Sequence, residues 1–139
     1  EQIAGIIDTM QKNGQDRILI TRMSAEAAEY VGRLYPLDYR KDAKAGIIGS
    51  VPVPSGIGKV VIATGGTSDI PVAEEAALTA EILGSEVIRL YDVGVSGVHR
   101  LLAHMDLIMG ASVIIAIALS LPFPPVWAMV PLLAVFRHC

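Results

Sequence analysis

Val60-Val61-Ile62-Ala63-Thr64-Gly65-Gly66-Thr67-Ser68-Asp69-Ile70-Pro71-Val72-Ala73-Glu74-Glu75-Ala76 passes from an apolar run, through a small polar turn, into an alanine- and glutamate-rich segment. That order predicts a strand, a tight turn and a helix start. Pro71 suits the first helical turn, because its missing N–H has no partner there in any case. Glu74 and Glu75 are expected to complement the positive end of the helix dipole, and Gly84 to close the helix. A turn of this kind aims backbone N–H groups and a helix N-terminus at one point, which suits an anion.

The pattern repeats downstream. Glu86 to Val93 reads as a strand, Gly94-Val95-Ser96-Gly97-Val98-His99-Arg100 as a second turn, Val98 to Met109 as a helix, and Ser112 to Ala118 as a third strand. Strands alternating with helices imply parallel pairing through right-handed crossovers. Both turns then fall at the carboxyl edge of one sheet, where open α/β folds bind ligands.

Upstream, Ile3, Ile6, Ile7 and Met10 share one helical face, ended by Asn13-Gly14. Arg17 to Met23 reads as a short strand. Ser24 caps a helix with Ala27, Ala28, Val31 and Leu34 on its apolar face. Leu37 to Ser50 reads as extended, with a hairpin around Asp42-Ala43-Lys44. The connector Val51-Pro-Val-Pro-Ser-Gly-Ile-Gly58 is the clearest boundary. The expected organisation is a small α+β module at 1–56, an α/β unit at 57–118 and a divergent Pro-rich apolar tail at 119–139.

Composition narrows the function classes. The chain has 139 residues and a formal net charge of −3, and no basic run exceeds Arg40-Lys41, so a nucleic-acid partner is not expected. The single cysteine, Cys139, rules out an intrachain disulfide and fits a reducing, cytoplasmic setting. No charged side chain falls between Leu107 and Phe136, but Leu107 to Leu121 is short for a membrane span and Pro122, Pro124, Pro125 and Pro131 interrupt the rest. A buried strand followed by an irregular tail is favoured over membrane attachment. The chain opens at Glu1 without an initiator Met, as a fragment or processed product would.

Each candidate residue has a functional and a plain reading. Asp69 can hold a ribose hydroxyl, orient a proton transfer or ligate Mg²⁺; it can equally be a helix cap. Thr67 and Ser68 can donate to a phosphate or simply favour the turn. Gly65 and Gly66 permit close backbone approach. His99 can act as a general acid near neutral pH or lie idle at the surface. Arg100 can fork onto a phosphate or carboxylate, or pair with Asp106. Asp92 can be catalytic or can satisfy turn N–H groups. No spacing of His, Cys, Asp or Glu marks a metal-ligand set.

The two turns together carry a family resemblance. Thr64-Gly-Gly-Thr-Ser-Asp-Ile-Pro-Val-Ala-Glu-Glu-Ala76 and Arg89-Leu-Tyr-Asp-Val-Gly-Val-Ser-Gly-Val-His-Arg-Leu-Leu102 resemble the LarB family of nickel-pincer cofactor biosynthesis. That family shares its catalytic domain with the aminoimidazole ribonucleotide carboxylases of the PurE group. The likeness extends from residue 1 to about residue 118. It implies a three-layer flavodoxin-like, PurE-like parallel sheet, incomplete here, behind the small α+β module.

The resemblance also implies a reaction. Nicotinic acid adenine dinucleotide would be carboxylated on its pyridinium ring with CO₂ or bicarbonate, and its phosphoanhydride hydrolysed with release of AMP. The product would be pyridinium-3,5-biscarboxylic acid mononucleotide. Gly66-Thr67-Ser68-Asp69 matches the Gly-Ser-x-Ser-Asp phosphate turn of the related carboxylases. Ser96-Gly97-Val98-His99-Arg100 resembles their Ser-Ala-His-Arg turn with one extra residue. By this likeness Asp69, Asp92, His99 and Arg100 would be catalytic, and Gly65, Gly66, Thr67, Ser68, Gly94, Ser96 and Gly97 would bind substrate. Mg²⁺ is allowed, no bound organic cofactor is implied, and a homo-oligomer is expected.

The likeness stops after the third strand. Family members continue with an Ala-Gly-Met-Glu-Gly-Ala-Leu-Pro turn and a later Leu-Asn-Ser-Cys-Ala segment, whose cysteine is the proposed nucleophile. Here Ala118 is followed by Leu-Ser-Leu-Pro-Phe-Pro-Pro-Val-Trp. Cys139 stands in another context and does not inherit the role. The expectation is therefore a half-site, with an aminoimidazole ribonucleotide carboxylase or a non-catalytic nucleotide-binding or oligomerisation fragment as alternatives.

Overall fold

The computed structural model describes residues 2–56, 58–94 and 97–118, and the backbone of Leu132–Arg137. The elements run α1 (Gln2–Lys12), β1 (Ile18–Ile20), α2 (Ala25–Gly32), β2 (Leu37–Arg40), β3 (Ala45–Ile48), β4 (Lys59–Thr64), a 3₁₀ turn (Thr67–Asp69), α3 (Ile70–Ile82), β5 (Glu86–Leu90), α4 (Val98–Ala103), α5 (Met105–Met109), β6 (Val113–Ala118) and β7 (Leu132–Arg137).

In the first unit β1, β3 and β2 form an antiparallel sheet in that order, with Ile18 opposite Ile48 and Leu37 opposite Ile48 on the other side. One face carries Ile18 and Ile48 against Ile7 of α1 and Ala28 and Val31 of α2. Ser24 caps α2 as its sequence predicts, its Oγ accepting from the Ala27 N–H at 3.1 Å. Two expected core positions face water instead. Ile6 is 59% exposed, because the contacts of α1 centre on Ile7, and Leu34 is 55% exposed, because α2 ends at Gly32. Gly49, at φ +92°, lies so close to Asp16 that an added Cβ would sit 2.1 Å from its carbonyl oxygen; only glycine fits.

The other face of this sheet meets the second unit. Ala45, Ile47 and Leu19 pack on Leu78 and Ile82 of α3. The opposite side of α3 places Ala73 and Ala77 on Ile62 and Ile117 of the second sheet. This helix is therefore sandwiched between two sheets, which explains why its apolar residues do not keep to one stripe. The proline-rich connector is tied down as well, with the Ser55 N–H donating to the Gly84 carbonyl at 3.1 Å.

The second sheet has the order β5-β4-β6-β7. β4 pairs in parallel with β5 and with β6, giving the 2-1-3 order of a flavodoxin-like fold. Alternation along β4 sends Val61 and Ala63 toward α4 and α5, and Val60 and Ile62 toward α3. Val61 and Ile62 are fully buried, each stabilising the fold by about 1.5–3 kcal/mol relative to exposure. Two expectations need correction. The segment Val98 to Met109 is two short helices broken at His104, not one. Within the tail, Leu132–Arg137 is not irregular but an antiparallel partner of β6, with Ala118 opposite Leu132.

Among the described residues no helix is long and apolar enough to cross a membrane.

Candidate functional site

β4 delivers its turn to the centre of the carboxyl edge, between β5 and β6. Thr64, 1% exposed, ends the strand. The Gly65 N–H donates to Ile117 of β6 at 3.0 Å, and the Gly65 carbonyl accepts from the Gly94 N–H at 3.1 Å. Thr64 binds the same neighbour twice more: its carbonyl accepts from the Val93 N–H, and its hydroxyl from the Asp92 N–H, both at 3.0 Å. The two glycine turns are thus joined through backbone contacts, as their shared position at one sheet edge predicts. Gly94 must be glycine for a steric reason, since a Cβ there would lie 2.2 Å from the Gly65 oxygen.

Asp69 lies inward, 3% exposed. Its Oδ2 accepts from the Gly66 N–H at 3.0 Å, and its Oδ1 from the Ser68 hydroxyl at 3.4 Å. The carboxylate therefore closes its own turn. This narrows the expected phosphate cradle at residues 66–69. The Gly66 amide is occupied by Asp69, and the Asp69 amide points back to the Gly66 carbonyl at 3.3 Å. The amides of Thr67 and Ser68 head the 3₁₀ turn, where no preceding helical carbonyl reaches them. They and the Thr67 hydroxyl are the donors available to an anion, the Ser68 hydroxyl being turned to Asp69.

On the β5 side, Asp92 adopts φ +58°, a left-handed conformation that aspartate tolerates better than most residues. Its carboxylate pairs with Arg100 at 2.9 Å. The expected alternative partner, Asp106, is not the one used. Gly97 is buried beneath this pair, donating its N–H to the Gly94 carbonyl at 2.8 Å. His99 is exposed on α4, so the described geometry gives it no buried partner. Ser96 lies outside the described residues, as does Cys139.

A cavity of about 240 Å³ opens at this edge, lined mainly by Thr64, Gly65, Val93, Leu101, Ile117 and Ala118. Its walls are apolar, with the glycine turns at the rim. Such a lining suits a ring or other flat apolar group whose polar substituents reach the turns. Among the described residues no three His, Cys, Asp or Glu side chains gather as a metal-ligand set.

One cluster escaped the sequence reading. Glu74 does not serve the dipole at the start of α3. It accepts from Arg89 Nε at 3.1 Å and from the Tyr91 hydroxyl at 2.5 Å, while Arg89 also binds Glu81 at 2.6 Å. The signal was present: Arg89 and Tyr91 alternate onto one face of β5, and Glu74 and Glu81 are seven residues apart on one face of α3. Tyr91 directly precedes Asp92, so this network anchors the start of the second turn.

Burial, and then the hydrogen bond to Glu74, push the Tyr91 hydroxyl well above the usual tyrosine range. The sign follows from linkage. A folded-state value raised above about 10 contributes stability that is complete below pH 10 and is lost as pH rises through the folded value. Denaturant midpoints measured from pH 9 to 11.5 should fall with pH, and Tyr91→Phe should flatten that fall. A remaining slope is expected from Tyr35, raised chiefly by its hydrogen bond to Asp8. Equal slopes in the two proteins would remove Tyr91 as the cause.

Residues 1–50 match the family model described as the LarB/PurE-like N-terminal domain. An uncharacterized protein of Methanocaldococcus jannaschii is 48% identical over 83 residues, which is 59% of this chain and 32% of that protein. The match is longer than the family-model region, so it takes in residues outside 1–50. The chain spans about a third of the length of this relative. The family match supports a relationship to the LarB/PurE-like carboxylases.

Proposed function

We propose, from the premise of a LarB/PurE-like N-terminal domain, that this chain provides the nucleotide-binding part of a pyridinium dinucleotide carboxylase. The substrate in this reading is nicotinic acid adenine dinucleotide, and the co-substrate CO₂ or bicarbonate. The observation that carries it is the junction of the two turns, Gly94 to Gly65 and Asp92 to Thr64, beside an apolar cavity.

Each residue then has a task. The Thr67 and Ser68 amides and the Thr67 hydroxyl receive a phosphate at the head of the turn. Asp69 holds that turn closed, keeping the Thr67 and Ser68 amides in place for the substrate. Arg100 receives a carboxylate, exchanging it for Asp92, whose freed charge favours the cationic ring. Carboxylation forms a C–C bond to CO₂ and releases a ring proton. An electron-poor pyridinium needs prior addition of a nucleophile for that step, and the described residues assign none. Hydrolysis of the phosphoanhydride takes one water and releases AMP. Among the described residues no three His, Cys, Asp or Glu side chains gather, so a Mg²⁺ ion would be held by one or two carboxylates together with the substrate phosphates. A cytoplasmic homo-oligomer is part of the same reading.

The test is titration of the purified chain with nicotinic acid adenine dinucleotide, with and without bicarbonate, followed by AMP chromatography and product mass. Saturable binding, weakened by Thr67→Ala with Ser68→Ala, is the expected result. AMP together with a dicarboxylated mononucleotide would extend it to full turnover. Folded protein that ignores the dinucleotide, or prefers aminoimidazole ribonucleotide, would overturn it.

A further inference from the structure

We infer a second anion site in the first unit, in the cleft between the start of α2 and the β2–β3 turn, built for a phosphate-bearing small molecule. The cleft encloses about 470 Å³, within the range of small-molecule sites, and Arg22, Ser24, Tyr39, Lys41 and Lys44 line it. It lies apart from the glycine turns, and the inference does not depend on the carboxylation reading.

Segments distant in sequence are locked together here. The Met23 N–H donates to the Lys44 carbonyl at 2.7 Å, and the Tyr39 hydroxyl donates to the Met23 carbonyl at 2.9 Å. These bonds hold the Arg22 segment against the hairpin turn, so three cationic residues share one cleft. Ser24 adds a hydroxyl. Its oxygen already accepts from Ala27, which leaves its proton free to donate to a ligand.

What points to a ligand is that three cations without an ion pair line one cleft. The chain has 14 acidic and 11 basic residues, so carboxylates are in excess. Five cations elsewhere find them: Arg33 pairs with Glu29, Arg40 with Asp38, Lys59 with Glu86, Arg89 with Glu74 and Glu81, and Arg100 with Asp92, while Lys12 and Arg17 stand singly, away from the cleft. Among the described residues Arg22, Lys41 and Lys44 make no such pair, although Asp42 lies in the same turn and Glu26 in the first turn of α2. Three exposed like charges without an ion pair around one concave surface repel each other, and an anion with several oxygens relieves that repulsion. Phosphate chemistry meets the description: oxygens for an arginine fork, for point-charge lysines and for a hydroxyl donor. The volume leaves room for a nucleoside attached to the phosphate.

The whole chain is titrated at low ionic strength with inorganic pyrophosphate, and in parallel with AMP and ADP, by calorimetry and backbone-amide NMR. One pyrophosphate should bind per chain in this cleft, shifting the amides of residues 22–24 and 41–44. Arg22→Gln and Lys44→Gln should each weaken binding about tenfold, the loss of one hydrogen bond to a charged group. Thr67→Ala should leave these shifts unchanged, which separates this cleft from the glycine turns. Tighter binding of ADP than of pyrophosphate would assign the ligand as a nucleotide; the reverse order would assign it as an inorganic or non-nucleotide phosphate. Lys12→Gln, at the end of α1, is the control for diffuse charge. Amide shifts absent from the cleft, or an equal loss in the Lys12 variant, would overturn the inference. Both cleft variants alter exposed side chains and are expected to fold, which a thermal melt checks.

Discussion

Gly94→Ala should be the most damaging single methyl addition to the second unit. The new Cβ would meet the Gly65 carbonyl oxygen at 2.2 Å, its carbon at 2.9 Å and its Cα at 3.1 Å. All three are backbone atoms of the central strand's turn, so no side chain can swing away. Relief requires the two turns to separate, which breaks the Gly94 to Gly65 hydrogen bond and strains those from Asp92 and Val93 to Thr64. Overpacking costs about 1–3 kcal/mol, and a clash with fixed backbone lies at the upper end, a large part of a domain's usual margin of about 5–15 kcal/mol. Urea unfolding of the two proteins measures the difference. A variant within about 0.5 kcal/mol of the parent, the range of neutral surface changes, would show that the turns do not depend on this contact. Where the variant still folds, dinucleotide binding should fall further than stability, because the loop separation is the geometry a ligand would read.

Asp69→Ala should produce the next largest effect, and comparison with Asp69→Asn separates two roles for the residue. Alanine leaves the half-buried Gly66 N–H without its acceptor and removes the acceptor of the Ser68 hydroxyl. An unsatisfied buried donor costs about 1–3 kcal/mol, and the half-buried Gly66 N–H places this variant at the lower end of that range. Asparagine keeps an oxygen of the right size for the Gly66 amide, so Asp69→Asn should lose much less stability. If Asp69 also touches the ligand, the asparagine variant will fold normally and still bind the dinucleotide more weakly. If it only organises the turn, binding will follow stability in both variants. An alanine variant as stable as the parent would contradict the turn-closing role.

The residues of the second unit announced their elements plainly. Val60 to Ile62 is a β-branched run, Pro71 sits where a helix begins and Gly84 where it ends; these signals depend only on near neighbours in the chain. The joining of the two turns was also legible, because parallel strands put their following loops at one edge. Other features were not. Glu74 followed by Glu75 near a helix start looks like dipole complementation, yet Glu74 is drawn to Arg89 and Tyr91 on the neighbouring strand. Arg100 has Asp106 within two helical turns, but the left-handed Asp92 comes closer. A continuous apolar pattern from Val98 to Met109 suggested one helix and hid the break at His104.

The amino-acid sequence by itself determined the kinds of elements, their parallel succession after residue 58 and the chemistry of the two glycine turns, because propensity, periodicity and turn geometry act over a few residues. Tertiary structure decided the 2-1-3 strand order, the pairing of Leu132–Arg137 with β6, the burial of α3 between two sheets and the inward carboxylate of Asp69. Apolar burial is non-directional, so an apolar segment does not state which neighbour will cover it. A polar side chain is equally silent about which distant donor will reach it first. Those choices are made when the segments meet.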